Sequence, residues 1–199
     1  MTAREVVCEV IEDHHLYRNT AGEVTISGGE PLAQHEFCLE VLGACKEEGM
    51  RTAVETNLAW PWELVESILP FLDLLIFDIK FLDRAAHEHW TGAGNGRILE
   101  NVRRLASTGK PLVARTPLVA GVNDLPEEIG RIADLLRLLP NLLYFQLVPY
   151  FSHPGKYESI GAENTASGFC APEPWQIRAL AAEARRRGVS VRSPTDVPA

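Results

Sequence analysis

Charged side chains follow several apolar, strand-like segments of the sequence, at the point where each segment ends. Asp78 and Lys80 close one such run, DLLIFDIKF, and strand residues two positions apart point the same way. They offer an anionic and a cationic contact within one pocket, as a zwitterionic ligand requires. In VTISGGEPL, Gly28 and Gly29 would let a ligand approach the backbone closely, and Glu30 adds a charged acceptor for an ammonium group. The sequence therefore predicts a pocket for an amino-acid-like group.

Strands and helices alternate along the chain, and this order indicates how the charged residues are positioned. Strands are predicted near residues 24–27, 51–57, 73–81, 111–116, 142–150 and 189–193, with helices at 3–18, 34–48, 61–69, 96–108, 125–139 and 174–187. Such repeated alternation predicts an α/β fold with a parallel sheet and right-handed crossovers.

The positions of the polar residues favour a barrel or partial barrel over a doubly wound sheet. They lie at or just past the C-terminal ends of successive predicted strands: Glu30, Glu55, Asp78, Lys80, Arg115 and Tyr150. The strand ends of a barrel converge on one mouth, where active sites are built, whereas an open sheet spreads them along an edge.

The length and charge of the chain limit its function class. Its 199 residues suit a single domain over 1–199. A formal net charge of −8 argues against a general nucleic-acid binder, which needs a basic face. No apolar run approaches the roughly 20 residues that span a bilayer, and the start MTAREVVCEV lacks the pattern of a secretion signal. We therefore expect a cytoplasmic protein with no membrane or nucleic-acid partner.

Cysteines and paired histidines are the side chains most often found in metal sites, and here their spacing gives little support for one. The four cysteines, Cys8, Cys38, Cys45 and Cys170, show no C-x-x-C spacing. Cys38 and Cys45 are seven apart on a predicted helix, which favours packing in the core. His87 and His89 form an H-x-H, but on a helix they point about 200° apart. We expect both histidines at the surface and no metal ligand in the chain.

Five motifs follow one another along the chain: TISGGEPL, ETN, DIK, ARTPLVAGVND and LVPYFSHPGKYESIG. In this order and spacing they resemble the activating enzymes of glycyl-radical enzymes in the radical SAM superfamily, of which the pyruvate formate-lyase activating enzyme is the best known. The likeness extends from about Thr2 to the final helix. It implies a partial parallel (β/α) barrel that holds S-adenosylmethionine beside a 4Fe–4S cluster.

The resemblance also implies an activity and two partners. In this family, electron transfer cleaves S-adenosylmethionine to a 5′-deoxyadenosyl radical, which takes hydrogen from a backbone glycine of a partner glycyl-radical enzyme. The electron would come from a donor such as flavodoxin or ferredoxin.

Two matched motifs imply contacts to the methionine and ribose parts of the cofactor. Gly28, Gly29 and Glu30 stand where the family receives the methionine amino group. Asp78 and Lys80 match the family's D-x-K, at the ribose and carboxylate side of the cofactor.

Other matched positions imply further cofactor contacts. Glu55 and Thr56 stand where the family has an acidic residue and Thr, near the cofactor and in some members near a bound monovalent cation. Arg115, in ART, matches a strand arginine that faces the same pocket. The family usually has His directly after Pro-Tyr; here Phe151 follows, and His153 two residues later is the candidate substitute.

The sequence departs from the family pattern at its beginning. It contains no C-x-x-x-C-x-x-C motif, and its cysteines do not replace one, since three thiolates must converge on one face. The first barrel strand is missing with the cluster loop, which would leave the strand at 24–27 as an unpaired edge. The sequence therefore predicts the C-terminal two-thirds of an activating enzyme, which alone performs no radical chemistry.

Two alternatives stay open. One is a non-catalytic module that binds S-adenosylmethionine or a partner protein without cleaving anything. The other is an unrelated barrel lyase that uses Lys80 as a Schiff-base nucleophile. That lyase would need Lys80 neutral, and the neighbouring Asp78 favours its charged form.

Overall fold

The computed structural model describes residues 1–12, 23–151, 161 and 168–196. The strands are β1 (Val24–Ile26), β2 (Thr52–Thr56), β3 (Leu74–Asp78), β4 (Leu112–Leu118), β5 (Leu142–Pro149) and β6 (Val191–Arg192). The helices are α1 (Ala3–Glu12), α2 (His35–Glu47), α3 (Trp62–Ile68), α4 (Arg84–Thr91), α5 (Gly96–Leu105), α6 (Pro126–Leu136) and α7 (Pro174–Arg186). Short 3₁₀ helices occupy Pro31–Gln34, Leu69–Phe71 and Pro194–Asp196.

The six strands of the described residues form one parallel sheet in the consecutive order β1 to β6. A doubly wound sheet reverses its order at a switch point, because its helices cover both faces. A consecutive order with right-handed crossovers instead places the helices on one face, as in a barrel. The predicted α/β fold, a partial parallel barrel, is therefore confirmed.

The two faces of the sheet differ in chemistry because side chains alternate along each strand. On the face toward the helices, Val54, Phe77 and Phe145 are buried in one core with residues of the helices. Burial of each such side chain stabilises the fold by about 1.5–3 kcal/mol. On the opposite, concave face, Glu55 and Arg115 are only half-buried. The sheet thus turns an apolar face to its helices and keeps a polar face for a site.

Most predicted elements occur where expected, with shifted ends. The predicted helix at 3–18 is a helix over Ala3–Glu12, and positions 13–18 lie outside the described residues. Within the described part of the chain, β1 lies at the edge of the sheet and pairs with β2. No helix in these described ranges has the length and apolar character needed to cross a membrane.

Candidate functional site

The polar residues of the concave face form a row at the C-terminal end of the sheet. The strand register places Asp78 of β3 opposite Arg115 of β4, and Arg115 opposite Gln146 of β5. Gln146 in turn lies opposite Arg192 of β6. Because all strands are parallel, these ends meet at one edge, which we call the mouth. The predicted convergence of strand ends is found here for Asp78 and Arg115.

Gly28 and Gly29 form the turn that leaves β1 at the mouth. Gly28 has φ +123°, a conformation that residues with a Cβ rarely adopt. A Cβ placed on either glycine would meet no atom within 4 Å. The backbone at this turn therefore faces open space, and a ligand can come close to it.

The carboxylate of Glu30 connects the end of β1 to the end of β2. Its Oε1 accepts hydrogen bonds from the Thr56 hydroxyl at 2.7 Å and from Leu32 N at 3.2 Å. Its Oε2 accepts one from Asn57 N at 2.9 Å. The bond from Leu32 N also caps the 3₁₀ helix Pro31–Gln34. Glu30 is thus held in place by three donors of its own chain and keeps part of its acceptor capacity for a ligand.

Thr56 is buried, and a hydrogen bond to Glu30 connects its side chain to the site. Its hydroxyl donates to Glu30 and accepts a hydrogen bond from Leu58 N at 3.2 Å. Leu58 has φ 54°, which is uncommon for a residue other than glycine. Asn101 of α5 holds this turn by donating to the Leu58 carbonyl at 3.0 Å. The loop after β2 is therefore fixed from both sides.

Glu55 and Arg115 form an ion pair across the concave face. Arg115 Nη1 lies 2.7 Å from Glu55 Oε2, with the two side chains 27% and 32% exposed. Arg115 Nε also donates to Gln146 Oε1 at 2.9 Å, and Ser27 Oγ donates to Glu55 Oε2 at 3.4 Å. At this exposure the pair contributes no more than about 1 kcal/mol to stability. Its effect is to fix the direction of a carboxylate and a guanidinium at the mouth.

Asp78 and Lys80 lie together as predicted, with Lys80 Nζ 3.4 Å from Asp78 Oδ2. Burial raises the pKa of Asp78 above its usual range, and the nearby Glu55 adds to this effect. Lys80 and Arg115 act in the opposite direction. A carboxylate that pays a desolvation cost in a cleft, beside a cation, is a candidate ligand contact. Lys80 is held in an ion pair with this carboxylate, which argues against a free Schiff-base nucleophile and so against the lyase.

The sequence did not indicate four residues that lie at or near the site. Gln146 orients Arg115, and Arg192 stacks over the ring of Tyr144 at 4.0 Å. His87 was expected at the surface, and this was wrong: it is only 5% exposed, while His89 is exposed as expected. Side chains alternate along a strand, and this alternation places Gln146 and Tyr144 on the same face as the charged residues. It is the one sequence signal that could have indicated these two residues. The predicted contact His153 lies outside the described residues.

The residues that the structure describes do not assemble a metal site. Among them no group of three His, Cys, Asp or Glu side chains could hold a metal ion. Cys38 and Cys45 are buried in α2 as predicted, and burial raises the pKa of the Cys38 thiol to about 11. A thiol in this state is a poor metal ligand. What the mouth offers is a set of paired charges and an open glycine turn, which suits a zwitterionic organic ligand.

Known proteins with similar sequences include several activating enzymes. The family described as the radical SAM superfamily matches residues 1–136. The (2S)-3-sulfopropanediol dehydratase activating enzyme of Klebsiella oxytoca is 38% identical over 136 residues, which cover 68% of this chain and 43% of that protein. The isethionate sulfite-lyase activating enzyme of Nitratidesulfovibrio vulgaris is 42% identical over 151 residues, covering 75% and 48% of the two chains.

A solved structure gives the same assignment. A domain of pyruvate-formate lyase-activating enzyme from Bacteroides vulgatus superposes with a TM-score of 0.73 at 28% identity, covering 86% of this chain and 98% of that one. The chain spans about half the length of the curated relatives just described. The family match covers more than half of the chain and includes Gly28, Glu55, Asp78 and Arg115. The chain therefore belongs to the radical SAM superfamily.

Proposed function

We propose that this chain is the cofactor-binding part of an activating enzyme that generates a glycyl radical on a partner enzyme. The observation that carries the proposal is the mouth of the sheet, where an open glycine turn follows β1 and the Asp78–Lys80 pair lies at the end of β3. The relatives support it, because those compared above are activating enzymes. A glycyl-radical enzyme is then the macromolecular partner, and flavodoxin or ferredoxin is the expected class of electron donor.

The charged groups at the mouth match those of S-adenosylmethionine, and the glycine turn leaves open space beside the backbone. The cofactor's ammonium group would lie over the turn at Gly28 and Gly29, where backbone carbonyls and the remaining acceptor capacity of Glu30 are available. Lys80 would pair with its carboxylate, and Asp78 would accept from its ribose. When bound with a reduced cluster, the cofactor supplies the radical chemistry of the family. The residues of this chain bind it, orient it and limit the access of water.

Glu55, Thr56 and Arg115 have supporting roles in this proposal. The ion pair between Glu55 and Arg115 keeps a guanidinium and a carboxylate fixed beside the cofactor. Thr56 acts on the cofactor through Glu30, because its hydroxyl is committed to that carboxylate. His153 remains the candidate for the contact that the family makes after Pro-Tyr.

A 4Fe–4S cluster does not fit the described residues. Three thiolates would have to converge, but Cys38 and Cys45 are buried and no triad of ligands is found in the described ranges. We therefore assign no cleavage step to these residues and expect the chain alone to be inactive. This observation also favours a second candidate function, a module that binds S-adenosylmethionine without cleaving it.

Titration calorimetry with S-adenosylmethionine tests the proposal. Without cluster contacts we expect a dissociation constant on the order of 0.1–1 mM, or about −4 to −5.5 kcal/mol. Asp78→Ala should abolish the measurable binding. Asp134→Ala is the matched control, because Asp134 is an acidic residue of α6 that pairs with Arg187 away from the mouth. Equal binding by the native chain and Asp78→Ala would contradict the proposal.

Reconstitution separates the two candidate functions. The chain, treated with iron and sulfide and reduced with dithionite, is incubated with S-adenosylmethionine, and 5′-deoxyadenosine is measured. The same assay is run on the chain supplied with a C-x-x-x-C-x-x-C segment at its N-terminus. Product only in the second case supports the activating-enzyme proposal, whereas product in neither supports the non-catalytic module.

A further inference from the structure

A small cavity lies beside the Asp78–Lys80 pair, between the ends of β2 and β3 and the turn from α4 to α5. Its volume is about 250 Å³, and its lining includes Asn57, Asp78, Lys80, His87 and Ile98. His87 is the buried titratable residue of this lining, since it is only 5% exposed. A polar ring buried at the wall of a cavity needs a partner for each nitrogen.

The hydrogen bonds of His87 define which nitrogen carries the proton. Its Nδ1 lies 2.7 Å from the carbonyl oxygen of Ala93, which can only accept, so Nδ1 carries the hydrogen. The Thr91 hydroxyl, 3.0 Å from Nδ1, donates to the His87 carbonyl at 2.7 Å and so helps to fix the helix end. In the neutral ring, Nε2 is then a hydrogen-bond acceptor. Nε2 has no partner among the residues that the structure describes.

The other groups of the cavity limit what His87 can bind. Asp78 supplies carboxylate oxygens to the same space, while Asn57 Oδ1 already accepts a hydrogen bond from Ala59 N at 2.8 Å. Among the side chains of this lining, those of Asp78 and His87 keep an acceptor that no backbone N–H of the described residues occupies. A volume of about 250 Å³ holds a pentose but is too small for a whole nucleoside with an amino-acid tail. Two acceptors in a space of this size suit a sugar with two adjacent hydroxyl donors.

We propose that His87 is a ligand-binding residue whose Nε2 accepts a hydrogen bond from one ribose hydroxyl, while Asp78 accepts from the other. This inference rests on the proposed function, because it assumes that the ligand carries an adenosyl group. It adds a contact on α4 to the strand-end residues. It also explains why Nδ1 is fixed on a backbone carbonyl: the fixed tautomer presents a lone pair, rather than a hydrogen, to the ligand.

Two substitutions separate the roles of the ring nitrogens. In His87→Asn, the amide nitrogen can replace Nδ1–H toward the Ala93 carbonyl, but no atom reaches the position of Nε2. In His87→Gln, the longer side chain places its amide oxygen near that position. We expect His87→Asn to weaken the affinity for S-adenosylmethionine about tenfold, as for the loss of one hydrogen bond. His87→Gln should retain the affinity within about threefold, because it retains the acceptor.

Ribose analogues give a readout that a purely structural role would not change. Calorimetry compares S-adenosylmethionine with its 2′-deoxy and 3′-deoxy forms on the native chain and on His87→Asn. The native chain should bind one deoxy form about tenfold more weakly, and His87→Asn should lose that preference. Nitrogen-15 NMR of the native chain should show the His87 Nε2 resonance move upfield when S-adenosylmethionine is added. This resonance tests the inference even if a variant fails to fold.

The outcomes distinguish this inference from the proposed function. If the native chain binds S-adenosylmethionine and Asp78→Ala does not, but His87→Asn keeps full affinity and full preference, the inference is overturned and the proposed function stands. An unchanged Nε2 resonance on ligand addition overturns it equally. No binding by the native chain contradicts both. Loss of affinity and preference in His87→Asn, with both retained in His87→Gln, supports it.

Discussion

Glu30 is the residue whose contacts differ most from what its position in Gly-Gly-Glu indicates. The sequence predicts an acceptor that faces a ligand, whereas the structure uses the carboxylate to hold Leu32, Thr56 and Asn57. The sequence could not show this, because two of the three donors, Thr56 and Asn57, lie at the end of a strand more than twenty residues away. The presence of a carboxylate at this position was therefore predictable. How its hydrogen-bond acceptors are shared between the chain and a ligand was not.

The contacts of Glu30 lead to a stability prediction. Glu30→Ala leaves buried donors without an acceptor and should lower the free energy of unfolding by about 1–3 kcal/mol. Urea denaturation followed by circular dichroism measures the change. Glu40→Ala, an exposed glutamate of α2, is the control and should change stability by less than about 0.5 kcal/mol. Equal stability of the two variants would show that the Glu30 contacts do not stabilise the fold.

Asp78 leads to a prediction on pH. Burial raises its pKa in the folded chain, so the charged form costs stability at neutral pH. We expect Asp78→Asn to be more stable than the native chain at pH 7. The advantage should shrink as the pH falls through the raised pKa toward about 3.9, the ordinary aspartate value, because the native carboxyl then takes up its proton. Denaturation series at several pH values measure this difference.

The control for the pH series is Asp134→Asn, which removes an exposed carboxylate that pairs with Arg187. It should give no stabilisation at pH 7. A native chain that is more stable than Asp78→Asn at neutral pH would mean that the ion pair with Lys80 outweighs the desolvation of Asp78.

At the scale of elements, the turn after β1 combines a structural glycine with a functional one. Gly28 has φ +123°, so Gly28→Ala should destabilise the fold by about 1–2 kcal/mol. Gly29 has no positive φ and free space around a Cβ, so Gly29→Ala should change stability by less than about 0.5 kcal/mol. The added methyl of Gly29→Ala would instead occupy the ligand's space and weaken binding of S-adenosylmethionine. Thermal unfolding and calorimetry on both variants measure the two effects.

The opposite pattern, with Gly29→Ala unstable and Gly28→Ala unchanged, would contradict this division. So would full ligand affinity in a folded Gly29→Ala chain.

The helices and strands themselves were largely predictable. An element that packs on one face has apolar residues at regular intervals in its sequence. The predicted helices at 34–48, 96–108 and 125–139 occur as α2, α5 and α6 with shorter ends. The helix α4, Arg84–Thr91, was not placed by the same reasoning. It is eight residues long, too short for a clear period, and its buried face is provided largely by His87.

At the scale of the whole molecule, strand order and curvature create the site. Consecutive parallel strands place Asp78, Arg115 and Gln146 in register, which the alternation of elements predicted in outline. The ion pair between Glu55 of β2 and Arg115 of β4 passes over β3. Such a contact depends on register and on the concave shape, and neither is encoded in a local pattern. The convergence was therefore predictable, but the pairing within the mouth was not.

The most direct test of the central claim is to map S-adenosylmethionine onto the chain by amide NMR. If the mouth binds the cofactor, addition of ligand should shift the amide resonances of residues 28–30, 55–57, 78–80 and 115. Resonances at the opposite end of the sheet, around Asp73 and Asn141, should stay unchanged and serve as the internal control. Shifts confined to the opposite end, or no shifts at millimolar ligand, would contradict the claim that the strand ends form an S-adenosylmethionine site.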